Sequence, residues 1–569
     1  MATRPSELVY AVDERPPWPK LLALGLQHTT LVCVYLVLIP IIAKAAAAPH
    51  DVMVSAVSLG MIALTVASVL QALRAGPFGS GYLAVPVYSA IYLGPSVMAA
   101  KAGGLPAVFG MTIFAGAVEI GLSRILRRLR PVFPPAVSGF TVAIVGIELG
   151  LVGMDQALGI EVYGRPDFPY HVGVALLTLS ISVGLSVWGR GVVRLVCSLT
   201  GLASGFAAAL LLGLIPAPEL HAIASAPSLA LPSLEHIAYR FDPQLAPAFA
   251  AAGVAAALRT IGVITTCEKI NDADWKRPDL KPIQGGVLAD GTGCLIGGLL
   301  GVPGMSAGPS LVGVSKATGA TSRYIAYACG AILVTMAFVP KFAAVFLAIP
   351  LSVAGGMLVF TGALMIAGGI QIMASRTIDT RTTFVIGIAL LLALSRKVFP
   401  AYFEELPGYL HSLAASSLAL GIAAAVGLTW LFRFGIRRHE ALALAQSGDS
   451  LAALTAFLRE KGKTWKIDQD IVERAASSAA GAFAHIRDAH LLEGPITMAA
   501  TYDDVDLVVE LDYEGRPLAP LDQEGPSPDL HEEASFSSGL TQFLSGIHAD
   551  RAETSIKGRR ARVRLYFAT

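Results

Sequence analysis

The sequence predicts an all-α polytopic membrane protein. About fourteen spanning segments are expected as a 7+7 inverted repeat, followed by a small C-terminal cytoplasmic α/β domain. Three observations carry this expectation. The 569 residues are 54% hydrophobic and only 15% charged, against roughly 25% charged in a soluble globule. Mean hydropathy is +0.63, and apolar stretches of about 18–25 residues recur along the chain. That pattern stops after about residue 438. A disordered chain is excluded, as is an ordinary soluble enzyme, because one globule could not hide so much apolar surface. With 42 Lys+Arg against 41 Asp+Glu, the charge balance points to no nucleic-acid partner. The expected partners are the lipid bilayer and a small-molecule substrate.

Residues 1–19 form a cytoplasmic N-terminal segment. They carry Arg4, Glu7, Asp13, Glu14 and Arg15 and lack the short apolar region and cleavage site of a signal peptide. The first helix is therefore expected in the mature protein. The membrane domain is read over 20–438. Its first repeat, about 20–215, holds segments near 20–44, 52–73, 86–102, 104–125, 135–153, 170–189 and 193–215. The second repeat, about 246–436, holds segments near 246–267, 283–301, 306–319, 323–340, 343–371, 379–395 and 409–434. The third member of each group is short and broken. One follows Gly79-Ser80-Gly81 and contains Pro86; the other follows Pro303-Gly304 and contains Gly308-Pro309. Matching broken segments in two halves point to a substrate site between half-helices. The reason is that a half-helix ending in mid-membrane turns free N–H groups and a positive dipole end toward a ligand.

Basic residues set the orientation. With a cytoplasmic N-terminus, the inside loops hold Arg74; Arg124, Arg127, Arg128 and Arg130; Arg190 and Arg194; and Lys269, Lys276, Arg277 and Lys281. They also hold Arg323, Arg376, Arg381, Arg433, Arg437 and Arg438, while the long 216–245 stretch offers only Arg240. Arg396 and Lys397 are the exceptions. Both termini are expected in the cytoplasm, with the protein in a bacterial cytoplasmic membrane. Cys33, Cys197, Cys267, Cys294 and Cys329 lie in or beside apolar segments with no CxxC pair, so neither a disulfide frame nor a metal site is expected. Residues 439–569 show amphipathic stretches at 451–460 and 469–486, then alternating runs at 496–501, 505–512 and 561–567. They read as a cytoplasmic α/β domain.

Several strings then coincide: Gln27-His28; Pro134 to Gly139; Gly285 to Gly291; Gly313; Thr318-Gly319; Ser322-Arg323-Tyr324; Ile349-Pro350; and Gly355-Gly356. Together, over residues 18–436, they resemble the nucleobase–ascorbate transporter family, the xanthine/uracil permeases. The resemblance implies a transporter, not an enzyme, built from a core domain (segments 1–4 and 8–11) and a gate domain (5–7 and 12–14). It implies a homodimer that moves a purine or pyrimidine base, coupled to protons or Na+, by an elevator-like motion, with no cofactor.

The departures from that family are instructive. Its signature near the tenth segment appears here as Ser310-Leu311-Val312-Gly313-Val314-Ser315-Lys316-Ala317-Thr318-Gly319. Gly313, Thr318 and Gly319 fit, whereas Ser310 and Leu311 replace the polar pair, leaving Ser310 a short donor–acceptor toward the base. In the eighth segment, Arg259 takes the place of the family's acid and Val263 that of its second polar residue. A central Arg costs about 2.5–3.5 kcal/mol on insertion scales and usually turns inward. Its planar fork suits carboxylates and oxyanions, so the site is expected to favour an anion such as urate. The alternative is a structural Arg paired with a carboxylate or carbonyls. Intramembrane titratable candidates are His28, Glu119, Glu148, Glu268 and Asp290. Asp290 matches a family acid and His28 the family's first-helix His, which makes these two the coupling candidates. Glu148 is read as structural. Tyr88 and Ser89, with Gly308 at the second break, fall where the family lines the base, and an aromatic there can stack.

Glu473, Ser477, Asp512-Tyr513-Glu514-Gly515-Arg516-Pro517 and Arg559–Phe567 resemble the histidine-kinase-type ATPase fold, nearest its anti-sigma-factor branch. Ser477 stands where that fold wants Asn and the Asp-x-Gly spacing is broken. The tail is therefore expected to be a regulatory or binding module with a cytoplasmic protein partner rather than a nucleotide site. Besides base transport, two readings stay open: a carrier of small carboxylates or inorganic anions, and a membrane sensor that reports a ligand to the tail.

Overall fold

The computed structural model describes residues 3–515, 549 and 551–568, apart from 75, 130–134, 159–162, 191, 274, 276–277, 375–377, 407–413, 415, 433–437, 445–449, 466, 489–490, 504–505 and 558–559. Arg130, Pro134, Lys276, Arg277, Arg376, Arg433, Arg437, Arg516, Pro517 and Arg559 lie outside the described residues. The chain divides into two compact units, Met1–Thr429 and Trp430–Thr569.

The first unit is helical. Its elements are α1 (Trp18–Leu36), α2 (Leu38–Ala45), α3 (His50–Ala72), β1 (Pro86–Tyr88), α4 (Ala90–Leu129), α5 (Pro135–Ala157), α6 (Phe168–Trp188), α7 (Val192–Leu195), α8 (Cys197–Leu211) and α9 (Ala217–Ser225). Then come α10 (Ala246–Asn271), α11 (Leu280–Leu299), β2 (Met305–Ala307), α12 (Pro309–Thr318), α13 (Tyr324–Ala337), α14 (Pro340–Leu347), α15 (Leu351–Met373), α16 (Thr380–Val398), α17 (Pro400–Glu404) and α18 (Ser417–Phe432). Among the described residues seven helices are long and apolar enough to cross a membrane, or eight if the bent pair α13–α14 counts as one span. Helices such as α15 and α18 carry no charged residue and are apolar all round, the pattern of a helix sunk in lipid or protein.

Several boundaries differ from the sequence expectation: the segments expected over 20–44 and 193–215 are each two helices, and those over 86–102 and 306–319 each open on a short strand. The segment expected over 343–371 is two helices: α14 turns by 86° from α13, and Pro350 precedes α15 in an extended conformation (φ −60°, ψ 145°). A proline lacks the N–H that would carry one helix into the next. The loop expected over 216–245 contains α9, which starts behind Pro216. Within α4 the helix is interrupted at Gly103–Gly104; Gly104 has φ 68°, which side-chain-bearing residues avoid.

Helices α5 and α15 pack through glycine. A Cβ on Gly139 would lie 2.6 Å from the Gly369 carbonyl oxygen, one on Gly146 2.9 Å from that of Gly362, and one on Gly355 2.7 Å from that of Gly153. Each set recurs every seventh residue, so the two backbones touch along their length. Lipid supplies no hydrophobic drive between helices, and small residues that permit this approach supply van der Waals contact instead.

Residues 3–14 strap one end of this unit. Val9 N and Tyr10 N donate to the Gly319 carbonyl at 2.8 and 3.1 Å, and Thr321 N and Arg323 N donate to the Tyr10 and Val12 carbonyls at 2.9 and 3.1 Å. Thr3 N donates to Asp272 Oδ1 at 2.9 Å, and Asp13 pairs with both Arg74 and Arg323. Gly319 closes α12 at φ 65°, where a Cβ would also sit 2.8 Å from the Glu7 carbonyl oxygen. Removing residues 1–14 deprives the Thr321 and Arg323 amides of their acceptors. Hydrogen exchange there should accelerate roughly fivefold, the equivalent of about 1 kcal/mol per bond. Unchanged exchange would mean that the strap is not seated in solution.

The second unit comprises β3 (Arg438–Leu444), α19 (Ser450–Trp465), α20 (Gln469–Asp488), β4 (Leu492–Tyr502), β5 (Asp506–Gly515), β6 (Arg551–Lys557) and β7 (Arg560–Ala568). The strands form one antiparallel sheet in the order β3-β4-β5-β7-β6. Along β5, Leu507, Val509, Leu511 and Tyr513 are buried in the same cluster as Ala475, Ala479, Ala482, Phe483 and Ile486 of α20. The alternate β5 positions Glu510 and Asp512 pair with Arg564 and Arg562 of β7. Period 2 in the strand and period 3.6 in the helix thus deliver one shared core. Arg459 holds both oxygens of Glu473 at 2.8 and 2.7 Å, and Ser477 Oγ donates to the Arg474 carbonyl at 3.1 Å. In this arrangement the Glu473 carboxylate serves an ion pair on the surface.

Candidate functional site

The two broken segments meet in the first unit. Strands β1 and β2 pair antiparallel, with Pro86 opposite Ala307, Val87 opposite Ser306 and Tyr88 opposite Met305. Gly308 N donates to the Val85 carbonyl at 3.1 Å and Ser89 N to that of Gly304 at 3.3 Å. Gly304 is required by space, since a Cβ would fall 2.3 Å from Cγ of the Tyr92 ring. Helix α4 starts at Ala90 and α12 at Pro309, immediately after the crossing. Pro309 suits the first helical position, where its missing N–H costs nothing. Both N-terminal ends, and with them the positive ends of two helix dipoles, therefore lie at the crossing, where Ile91 N donates to Ser89 Oγ and Leu311 N to the Gly308 carbonyl, each at 3.2 Å.

Helix α12 divides into two faces. Leu311, Val312, Val314 and Ser315 are buried, while Pro309, Ser310, Gly313, Lys316 and Ala317 are exposed. The exposed positions follow the helical repeat and make one open stripe. Ser310 and Gly313, picked out from the signature, both lie on it, and Ser310 Oγ is 3.1 Å from the Tyr35 hydroxyl. Thr318 Oγ1 donates to the Val314 carbonyl at 2.9 Å, and Gly319 is the left-handed C-cap. These two end the helix, and the Gly319 carbonyl accepts from the strap.

Arg259 lies at the middle of α10 and is buried. Its Nη1 donates to Ser89 Oγ at 2.8 Å, so it reaches directly to the start of the α4 half-helix. Its Nε has no hydrogen-bond partner. Next to it Thr260 Oγ1 donates to Asp290 Oδ2 at 2.6 Å and lies 3.4 Å from Ser306 Oγ on β2. The structure thus brings together Arg259, Ser89, Asp290, Gly308 and Ser310 around the crossing. His28 Nε2 is 3.3 Å from Ser315 Oγ and its Nδ1 is 2.9 Å from the Leu24 carbonyl; it joins α1 to the buried face of α12. Tyr88 is fully buried, with its hydroxyl donating to the Gly60 carbonyl at 2.9 Å, so its ring packs on α3. Val263 belongs to an apolar cluster with Ala84, Cys267, Ala307 and Val312, and supports β2 and α12 from behind.

Sequence reasoning missed Tyr35, Thr260 and Ser306. Thr260 had a signal, as the second polar residue of an otherwise apolar helix centre. Tyr35 and Ser306 had none before the crossing was known. Glu148 lines a cavity of about 930 Å³ with Lys44, Lys101, Asp155 and Lys397, alongside Ala90 and Gly94 of α4.

Residues 19–401 match the family model described as the permease family, that of the xanthine/uracil permeases. The chain belongs to this family, whose members are transporters and not enzymes. It is 26% identical over 449 residues to the xanthine permease XanP of Escherichia coli (strain K12), covering 76% of this chain and 96% of that protein. It is 28% identical over 425 residues to the uric acid permease PucK of Bacillus subtilis (strain 168), covering 73% and 96% respectively. Among solved structures, the transmembrane domain of a cyanobacterium bicarbonate transporter, BicA, matches with a TM-score of 0.47 and 16% identity, over 74% of this chain and all of that one.

Proposed function

We propose that this protein is a secondary transporter for an anionic purine, of which urate and ionised xanthine are the type, working in a bacterial cytoplasmic membrane with both termini inside. The observation that carries the reading is Arg259, a buried cation with one N–H on Ser89 and Nε unpartnered, at the meeting point of two half-helix N-termini. A permanent positive charge and two positive dipole ends converge there, and such a place favours an anion. The names of the relatives support a purine: XanP is a xanthine permease and PucK a uric acid permease. The same reading takes the chain as fourteen segments in two inverted repeats. The half carrying the crossing would move against the α5–α15 half, with proton or Na+ coupling and a homodimeric assembly.

The test is a ligand panel on the purified full-length protein, read as thermal stabilisation and as uptake into proteoliposomes. A ligand at a hundred times its Kd should stabilise the native state by about 2.7 kcal/mol. Urate and xanthine should stabilise at a pH where they are ionised and should compete for uptake, with neutral uracil much weaker. Stabilisation by oxalate or sulfate that purines fail to displace would make the protein a carboxylate or inorganic-anion carrier. Binding of urate without accumulation would support a sensor.

A further inference from the structure

We infer that Glu119 and Asp290 form a shared proton site in the membrane unit, one helix layer behind Arg259, and that a proton held there raises the affinity of the neighbouring site for an anion. This inference rests on the transport reading above and names the group that would couple it to protons.

Glu119 sits on the part of α4 beyond the Gly103–Gly104 break, and Asp290 sits on α11. The two helices touch here: a Cβ on Gly291 would lie 3.0 Å from Cβ of Glu119, and one on Gly116 would lie 2.7 Å from the Gly291 carbonyl oxygen. No water layer fits between such backbones. The two carboxyl groups are within hydrogen-bonding reach of each other, and they are 0% and 1% exposed. Their neutral donors are few and all on the Asp290 side: Thr260 Oγ1 serves Asp290 Oδ2 at 2.6 Å, with the Ser306 hydroxyl also in reach of Asp290. Glu119 Oε1 and Oε2, Asp290 Oδ1 and the hydroxyl of fully buried Tyr92 have no partner.

The groups facing the pair are Tyr92 from the first half of α4, Cys294 from α11, Ser306 from β2, and Thr260 and Arg259 from α10. Arg259 is the single cation among them, and it is aimed at Ser89. Two buried carboxylates with so few donors repel each other and lose their hydration. One proton removes the repulsion and gives the remaining carboxylate a donor, because a carboxyl O–H then donates to it, and the pair titrates as a unit. A metal ion would want a fuller shell of oxygen ligands, whereas a proton needs only these two groups.

The consequence for the substrate is electrostatic. With the pair empty, two negative charges outweigh the positive charge of Arg259, and an anion entering beside it is repelled. With one proton bound the local charge is neutral, so Arg259 is free to serve an anion. Linkage makes this reciprocal: a bound anion strengthens the hold on the proton. The proton adds to a carboxylate oxygen from one aqueous side and leaves from it to the other.

The experiment uses the full chain, as wild type, Glu119→Gln and Asp290→Asn, with folding checked by size-exclusion chromatography and circular dichroism. Gln keeps the shape and supplies a donor to Asp290. First, infrared difference spectra between acid and alkaline buffer are taken without substrate. The wild type should show a protonated-carboxyl C=O band that titrates, and Glu119→Gln should remove or shift it. Second, labelled urate uptake is driven in proteoliposomes by a pH gradient or by a sodium gradient. Wild-type accumulation should follow the pH gradient, and Glu119→Gln should reduce it to simple equilibration. A band unaffected by Glu119→Gln, or wild-type accumulation by that variant, would overturn the proposal, as would uptake driven by sodium alone. If no purine accumulates in the wild type, the transport reading fails while the infrared result still decides the proton site.

Discussion

Arg259→Gln should weaken the binding of an anionic purine by roughly tenfold to a hundredfold, the equivalent of about 1.5–3 kcal/mol for a hydrogen bond to a charged group. Arg259 reaches the crossing from the centre of α10 and donates to Ser89 Oγ at 2.8 Å. Gln ends where Nε of the arginine lies, two bonds short of Nη1, so the charge, the planar fork and the bond to Ser89 are lost together, while Ser89 Oγ keeps the bond it accepts from Ile91 N at the start of α4. A neutral base gains little from the charge and should bind both proteins alike. The discriminating measurement is therefore the ratio of urate to uracil affinity in the two proteins, by calorimetry or competition. Arg259→Lys separates charge from shape: a partial recovery says that charge dominates, and none says that the fork matters. Equal urate affinity in wild type and Arg259→Gln would make Arg259 a structural link between α10 and α4.

The sequence exposed some of this arrangement and hid the rest for identifiable reasons. Broken segments are legible because Gly and Pro interrupt an apolar run, and both breaks lie at the β1–β2 crossing. Arg259 is legible because a charge in an apolar helix is conspicuous. Tyr88 reads as a stacking residue because it adjoins a break, yet it turns toward Gly60 of α3; side-chain direction at an irregular backbone is set by neighbours distant in sequence. The strap could not be foreseen, because many of its hydrogen bonds join backbone groups of 9–12 and 319–323, and the side-chain partners of Asp13, namely Arg74 and Arg323, are distant in sequence. Glu119 showed as an intramembrane acid, but its partner did not, since 171 positions separate it from Asp290 and only the α4–α11 contact joins them. In the second unit β3 escaped notice because Arg438–Leu444 follows the last apolar segment and its residues are mostly exposed.

The other large effect is expected far from the site. Gly362→Val should destabilise the membrane unit by about 1–3 kcal/mol or more, as overpacking at a closed contact does. A Cβ on Gly362 would lie 2.8 Å from the Gly146 carbonyl oxygen and 2.9 Å from the Gly150 amide nitrogen. Those atoms are backbone and cannot rotate away, so α5 and α15 must separate. Separation at one glycine also opens the contacts at Gly139–Gly369 and Gly153–Gly355, because rigid helices transmit the displacement along their axes. Gly368 is the control. It lies in the same helix with nothing within 4 Å of an added Cβ, and Gly368→Ala should be neutral or stabilising by up to about 1 kcal/mol through helix propensity. The two positions share a helix but lie about 9 Å apart along it, and an added Cβ meets backbone at Gly362 and open space at Gly368. Thermal unfolding in detergent should therefore place Gly362→Val several degrees below wild type and Gly368→Ala at or above it. If both variants unfold like the wild type, α5 and α15 are not in backbone contact, and the rigid glycine seam on which the moving half is proposed to work does not exist.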